Sequence, residues 1–140
     1  MADSKQRNGM RGVFLTAAEL SKYGYTVAPT ARNSAGADLL VFTPANARAF
    51  SIDVKTNARR ANFWLVGPHA CERISDSFYY VFLNIVQKKD AERFDFYVVP
   101  SKVVAEKVLI QKGPKHTFWA FELKHAERFQ DRWKVFGPTS

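Results

Sequence analysis

The sequence predicts a single-domain α/β (α+β) fold in which a central mixed β-sheet is flanked by helices. The chain has 140 residues, which is the usual length of one domain. Its hydrophobic fraction of 46%, with 12 phenylalanines, is sufficient for a packed core and is not typical of a disordered chain. Helical periodicity near the N-terminus is followed by several strand-like segments and then by further helix. This order indicates a sheet with helices packed on it.

The N-terminal part is expected to contain one amphipathic helix. Residues 1–8 are polar and are expected to form a mobile segment, so that the domain covers residues 9–140. Apolar residues at helical spacing predict a helix over about residues 8–23, with Gly24 as its stop. The apolar stripe of this helix is Met10, Val13, Phe14, Ala17 and Ala18.

The strand signals come mainly from the middle of the chain. Strands are predicted at residues 26–30, 37–42, 49–55, 63–66, 79–86, 94–99 and 117–123. Pro29 places the first of them at a sheet edge, and the apolar run up to Asn84 predicts a strand that is buried on both faces. Ser101 is expected to cap a second helix that ends near Gly113. The C-terminal segment has an amphipathic pattern: Phe129, Trp133, Phe136.

The charge balance narrows the classes of partner. Lysine and arginine number 21 against 13 acidic residues, which gives a net charge of +8. Such a balance favours anionic partners, such as nucleic acid or a membrane surface, although a solvated basic surface explains it equally well. The lone Cys71 excludes an intrachain disulfide and is interpreted as a small apolar filler. The polar start and the absence of a long apolar run predict a soluble, cytoplasmic protein with no membrane partner.

Two neighbouring strand segments are expected to form an antiparallel hairpin. With a two-residue turn at 45–46, the numbers of facing residues sum to 91. One face of the hairpin is then apolar and suits a core. The facing pairs on that side are Leu39 with Ile52 and Val41 with Phe50.

The other face of the hairpin carries the chemistry. The same register places Asp38 opposite Asp53, with Lys55 two residues further along on the same face. Two facing carboxylates raise the proton affinity of one of them unless a cation lies between them, and Mg²⁺ prefers such oxygen ligands. In the structural alternative, Asp38 caps a strand start and Asp53 pairs with Lys55. A bulge or a three-residue turn would place the aspartates on opposite faces.

These residues resemble the core of the PD-(D/E)XK nuclease superfamily, in particular its small Holliday-junction-resolvase-like branch. Asp38 in Gly36-Ala37-Asp38 corresponds to the first aspartate of the motif, with Ala37 in place of proline. Asp53-Val54-Lys55 corresponds to the (D/E)XK triplet. The resemblance extends over about residues 12–101. The flanking segments that also match are Tyr23-Gly24-Tyr25, Arg32-Asn33, Lys55-Thr56-Asn57, Tyr79-Tyr80-Val81-Phe82 and Phe96-Tyr97-Val98-Val99-Pro100-Ser101.

The resemblance implies a restriction-endonuclease-like core and metal-dependent hydrolysis of phosphodiester bonds in DNA. Asp38, Asp53 and the backbone carbonyl of Val54 would hold Mg²⁺ or Mn²⁺, and Lys55 would act on the water or the transition state. The resemblance also suggests a homodimer. Three arginines near the hairpin in sequence are expected to contact phosphates, although solvated loop charge explains each of them equally well. They are Arg32, Arg59 and Arg60.

One departure from the family pattern defines the alternatives. Members of this superfamily often carry a glutamate on the first helix, expected here beside Gly12, where the chain has Val13. Glu19 is the helix's only glutamate, and its angular position indicates the solvated side. A catalytically decayed nuclease fold that binds nucleic acid or acts as an assembly module is therefore the second hypothesis. A basic RNA-binding module, which would need exposed aromatics on central strands, is the third.

Overall fold

A computed structural model describes residues 2–31, 37–43, 45 and 47–138. Three 3₁₀ turns, at Pro68–Cys71, Glu127–Phe129 and Trp133–Phe136, complement the regular elements. The helices and strands follow in chain order as α1 (Ala2–Lys22), β1 (Thr26–Pro29), β2 (Leu39–Thr43), β3 (Arg48–Asn57), β4 (Phe63–Leu65), β5 (Phe78–Gln87), β6 (Glu92–Pro100), α2 (Ser101–Lys107), β7 (Leu109–Lys112), β8 (Thr117–Glu122) and α3 (Leu123–Ala126).

A five-stranded mixed sheet forms the centre of the protein, with the strand order β1-β2-β3-β5-β6. β3 and β5 run parallel, and the other neighbouring strands are antiparallel. β1, which contains Pro29, is an edge strand, and β5 is buried along most of its length, as predicted. A separate antiparallel sheet has the order β4-β8-β7.

The central sheet separates two hydrophobic clusters. On one face, α1 and the turn Trp133–Phe136 cover apolar side chains of β2, β3, β5 and β6. The hydroxyl of Tyr25 donates to the carbonyl oxygens of Trp133 (3.1 Å) and Gly137 (2.7 Å), which holds the C-terminal segment against this face. On the other face, the cluster combines the small sheet with α2 and α3. The predicted architecture is therefore confirmed, with a second sheet as part of one covering layer.

The apolar stripe predicted for α1 coincides only in part with its buried face, since Val13 and Ala17 pack against the core but are only half-buried. Met10 and Phe14 are 51% and 58% exposed, whereas Thr16 and Leu20 are completely buried. Gly12 is also buried, and a Cβ atom built on it would lie 1.8 Å from Oγ1 of Thr56 on β3. The helix therefore approaches β3 closely at Gly12, a contact that apolar periodicity does not reveal. The helix also begins at Ala2, so residues 2–8, which were expected to precede it, form its first turns.

The second helix is shorter than predicted. It ends at Lys107, and Leu109–Lys112 forms β7 instead, because this segment pairs with β8 across a turn closed by the bond from the Gly113 N–H to the His116 carbonyl (2.7 Å). Ser101 is the first helical residue rather than the cap. Its hydroxyl accepts from the Ser75 N–H (3.1 Å) and donates to the Ser75 carbonyl (3.0 Å).

Two further expectations concern the surface. Cys71 is exposed, so its interpretation as an apolar filler is wrong; it ends a short surface turn that leaves its side chain uncovered. In the described part of the chain, no helix combines the length and the apolar character needed to cross a membrane.

Candidate active site

The hairpin of β2 and β3 has the predicted register. Leu39 faces Ile52 and Val41 faces Phe50, and all four side chains are buried. These apolar pairs fix the register, because a slip of one residue would turn them to the solvent. Of the turn segment, Pro44 and Asn46 lie outside the described residues.

Asp38 lies immediately before β2, between two neighbouring strands. Its N–H donates to the Ile52 carbonyl (2.7 Å) and its own carbonyl accepts from the Thr30 N–H (3.0 Å). Its Oδ2 accepts a hydrogen bond from the Val54 N–H (2.7 Å). Asp38 is thus not a member of the β2–β3 ladder, but its carboxylate is directed onto β3.

Asp53 is the buried carboxylate of the site, with 6% of its surface exposed. Burial raises its pKa from 3.8 to about 7, against the opposing charges of Lys55 and Arg73. The two carboxyl groups interact directly, because the charge of Asp38 and a side-chain hydrogen bond between Asp38 and Asp53 raise the pKa of Asp53 further. Burial, and to a smaller extent the negative charge of Asp53, raises the pKa of the neighbouring Tyr80 to about 12.

Two cations approach Asp53, one at each carboxylate oxygen. Nζ of Lys55 lies 3.5 Å from Oδ1, and Nη1 of Arg73 lies 3.8 Å from Oδ2. The guanidinium group of Arg73 also lies 4.3 Å from the centre of the Phe78 ring. Both charge distances exceed those of tight hydrogen bonds, so the two cations compensate the charge of Asp53 electrostatically rather than through close hydrogen bonds.

Sequence reasoning did not find Arg73, which follows the triplet by many residues. The parallel pairing of β3 with β5 brings Arg73 close to Asp53. Ser51 of β3 lies beside Phe78, the first residue of β5, so the segment that leads into β5 lies at the end of the sheet where β3 also begins. The loop before β5 must then pass close to the first half of β3. The position of Arg73 could have been predicted only from knowledge that β3 and β5 are parallel neighbours.

A cleft beside α1 contains Val13, the position at which the family resemblance predicts a glutamate. Its lining includes Gly9, Val13, Asp38 and Val54. Val13 therefore lies on the same cleft as the Asp38 carboxylate, at the place where the family resemblance expects an acidic side chain. Glu19 faces elsewhere, with its Oε1 4.0 Å from Nζ of Lys22.

A second depression, the basic groove, adjoins this cleft at Gly9 and Val54. It is lined by Lys5, Gly9, Val54, Lys55, Thr56, Asn57, Arg59, Ala61, Phe63, Trp64 and Leu65. Of the two described arginines predicted to contact phosphate, only Arg59 lines the groove. Arg60 is exposed and acts electrostatically on Tyr97 of β6. Arg32 lies outside the described residues.

Two asparagines hold the loop that carries Arg59. Nδ2 of Asn57 donates to the Phe63 carbonyl (2.9 Å) and to Oδ1 of Asn84 (3.1 Å). The buried Asn84 in turn donates to the Ala61 carbonyl (3.0 Å). These bonds satisfy a polar side chain inside an apolar strand and fix the loop between β3 and β4 beside the site.

The donor atoms suit a divalent cation that is held by few protein ligands. Among residues 2–31, 37–43, 45 and 47–138, no three His, Cys, Asp or Glu side chains are grouped to hold a metal. The two adjacent carboxyls nevertheless repel each other when both are ionised, since the pKa of Asp53 is raised in spite of Lys55 and Arg73, and a cation bound between them would relieve this repulsion. Mg²⁺ and Mn²⁺ accept such a set, with water or phosphate completing the coordination.

The mixed sheet with the helix α1 on its face is a fold that solved structures of other proteins share. Two solved structures share this fold. Hjc, a Holliday junction resolvase from Archaeoglobus fulgidus, is 12% identical, with a TM-score of 0.58 over 93% of this chain and 96% of that one. The bacterial homing endonuclease I-Ssp6803I is 15% identical, with a TM-score of 0.62 over 95% of this chain and 93% of that one.

At these identities the likeness establishes the fold, which is the one that the motif predicted. No protein-family model and none of the curated proteins matches the sequence.

Proposed function

We propose that the protein is a metal-dependent endonuclease that hydrolyses phosphodiester bonds in DNA and acts in the cytoplasm. The observation that carries this proposal is the convergence of Asp38, Asp53 and Lys55 on the second half of β3, next to a basic groove. The two solved structures named above, which share the fold, are a Holliday junction resolvase and a homing endonuclease, which supports DNA as the partner. The net charge of +8 agrees with a polyanionic substrate.

Each residue of the candidate site has a separate role in this proposal. Asp38, Asp53 and the Val54 carbonyl would hold Mg²⁺ or Mn²⁺, which when bound polarises the phosphoryl oxygen and lowers the pKa of water. The Val54 N–H holds the Asp38 carboxylate in place. Lys55 stabilises the negative charge that develops in the transition state, or orients the attacking water. No nucleophilic side chain is required.

The arginines contact the DNA backbone in this proposal. Arg73 lies on the side of Asp53 opposite Lys55 and provides a second positive charge near the phosphate. Arg59 binds phosphates along the groove, whereas Arg60, which does not line the groove, would contact the backbone outside it. Arg32 remains a proposed phosphate contact, and a homodimer remains a proposal from the family resemblance.

A catalytically decayed nuclease fold is the second candidate function. The observation that favours it is Val13, whose apolar side chain lines the cleft with Asp38 where an acidic ligand is expected. Such a protein would bind DNA but would not cut it. The third hypothesis, an RNA-binding module with aromatics exposed on central strands, loses support because Phe78, Tyr80 and Phe82 of β5 are buried.

Cleavage of supercoiled plasmid with Mg²⁺, with Mn²⁺ and with EDTA separates the first two functions. The endonuclease proposal expects nicked or linear product with the metal ions, none with EDTA, and none with Asp53→Asn. The control is Asp90→Asn, which removes an exposed carboxylate from a loop and should cut like the wild type. DNA binding without cleavage under all metal conditions would select the decayed nuclease.

A matched pair of substitutions tests the position of the DNA. Arg59→Gln and Arg60→Gln remove the same charge from neighbouring residues, but only Arg59 lines the groove. Arg59→Gln should weaken DNA binding several-fold more than Arg60→Gln in a titration at low salt. Equal losses would show that the groove does not hold the backbone.

A further inference from the structure

The small sheet carries a largely apolar face that neither hydrophobic cluster covers. Cross-strand pairing places Leu65, Ala120 and Leu109 in one row over the three strands. Alternation along the strands adds Phe63 and Phe118 to the same face, together with the polar Gln111 and with Glu122, whose charge is offset by Nζ of Lys124 at 3.9 Å. The four large side chains of this outer face, Phe63, Leu65, Leu109 and Phe118, are 46–48% exposed. Trp64 and Phe121 point to the opposite side of the sheet and are buried.

This outer face is continuous with the basic groove. Phe63 and Leu65 line the groove together with Lys5, Lys55 and Arg59. Of the described residues that line it, three are basic and none is acidic. A ligand that extends from Lys55 onto the outer face must therefore carry negative charge at one side and apolar surface at the other.

Nucleic acid with unpaired bases has this combination. In a duplex the base faces are stacked on each other and only phosphates and groove edges are accessible, so exposed phenyl rings would gain little from it. In a single strand each base has a free face that stacks on aromatic rings while the backbone follows a positively charged groove. A second copy of this chain suits the face less well, since symmetric pairing through it would bring the groove cations of both copies together.

We propose that the outer face binds the unpaired bases of a single-stranded segment whose backbone lies along Lys5, Arg59 and Lys55. The substrate class is then DNA that has a single-stranded stretch next to the bond that is cut, such as a gap, a flap or an overhang. The proposal rests on the proposed function for the location of the scissile phosphate at Lys55.

Binding in EDTA tests the proposal without any cleavage. The probes are a fluorescein-labelled single-stranded deoxyoligonucleotide and the same sequence as a blunt duplex, followed by fluorescence anisotropy. Phe63→Ala and Phe118→Ala should each weaken single-strand binding about five-fold or more, the lower end of what one stacked base contributes. Duplex binding should change by less than about two-fold. The control is Phe42→Ala, since Phe42 is 43% exposed on β2 and does not line the groove.

Two further variants separate stacking from simple apolar contact and from misfolding. Phe63→Tyr retains the aromatic ring and should keep single-strand binding, whereas Phe63→Leu retains apolar surface only and should lose it. Thermal melting shows whether each variant is folded, and substitution of a half-exposed side chain should change stability little.

Several results would overturn the proposal. The first is unchanged single-strand binding in Phe63→Ala and Phe118→Ala. The second is an equal loss of affinity for the single strand and for the duplex. The third is a wild-type dimer in sedimentation that Phe63→Ala converts to a monomer. Plasmid cleavage with any of these results would leave the endonuclease function standing. Selective loss of single-strand binding in a protein that never cuts would support the outer face and refute the endonuclease.

Discussion

Replacing Asp53 by Asn should stabilise the metal-free protein at neutral and alkaline pH. Asp53 is buried, and its pKa is about 7 in the folded protein against a usual value of 3.8. The folded state therefore disfavours the ionised carboxylate even though Lys55 and Arg73 lie on either side of it. Asn has the same shape, carries no charge and can donate to the Asp38 carboxylate.

The size and the pH window of the effect follow from the two pKa values. Below about pH 4 Asp53 is protonated in both states and contributes nothing. Between about pH 4 and pH 7 the unfolded chain releases the proton while the folded protein retains it, so the free energy of unfolding falls as the pH rises. Above about pH 7 the loss is constant at about 4 kcal/mol, since each tenfold change in proton affinity corresponds to about 1.4 kcal/mol.

Denaturant unfolding of the wild type and of Asp53→Asn in EDTA at pH 4, 6 and 8 measures this difference. The variant should be equally stable at pH 4, more stable at pH 6 and most favoured at pH 8. The exposed Asp90→Asn should show no such trend. Mg²⁺ at about 100 times its Kd should then restore about 2.7 kcal/mol to the wild type at pH 8. A stability difference that does not depend on pH would refute the reasoning.

Three further predictions follow from the same geometry. Lys55→Ala should reduce single-turnover cleavage by on the order of 10² or more with little change in melting or DNA binding; cleavage within a few-fold of the wild type would remove Lys55 from the chemistry. Gly12→Ala should destabilise the fold, since its Cβ would lie 1.8 Å from Thr56 Oγ1. Gly9→Ala, whose Cβ would have no atom within 4 Å, should stabilise the helix by up to about 1 kcal/mol. Denaturant unfolding measures both effects, and equal effects would contradict this packing. DNA affinity should fall with salt at a log–log slope of roughly −3 to −6 in a binding titration, and a salt-independent affinity would argue against phosphate contacts.

The sequence determined those features that depend on neighbours along the chain. The hairpin register follows from apolar residues that alternate on two adjacent segments, because burial of one face permits a single alignment. The same alternation brought Asp53 and Lys55 to one side of β3, where they lie 3.5 Å apart. The edge position of β1 and the burial of β5 were likewise readable from proline and from an uninterrupted apolar run.

The tertiary structure decided what depends on distant segments. Periodicity identified α1 but only part of its buried face, since the close approach to β3 depends on the lack of a side chain at Gly12, which apolar periodicity does not register. The helix predicted to reach Gly113 ends early, because pairing with β8 overrides local preference in Leu109–Lys112. Arg73 reaches Asp53, and Phe63 reaches the groove of Lys55, only after the strands are assembled. Single-sequence patterns have a range of a few residues, whereas these contacts join segments that approach each other only in the folded sheet.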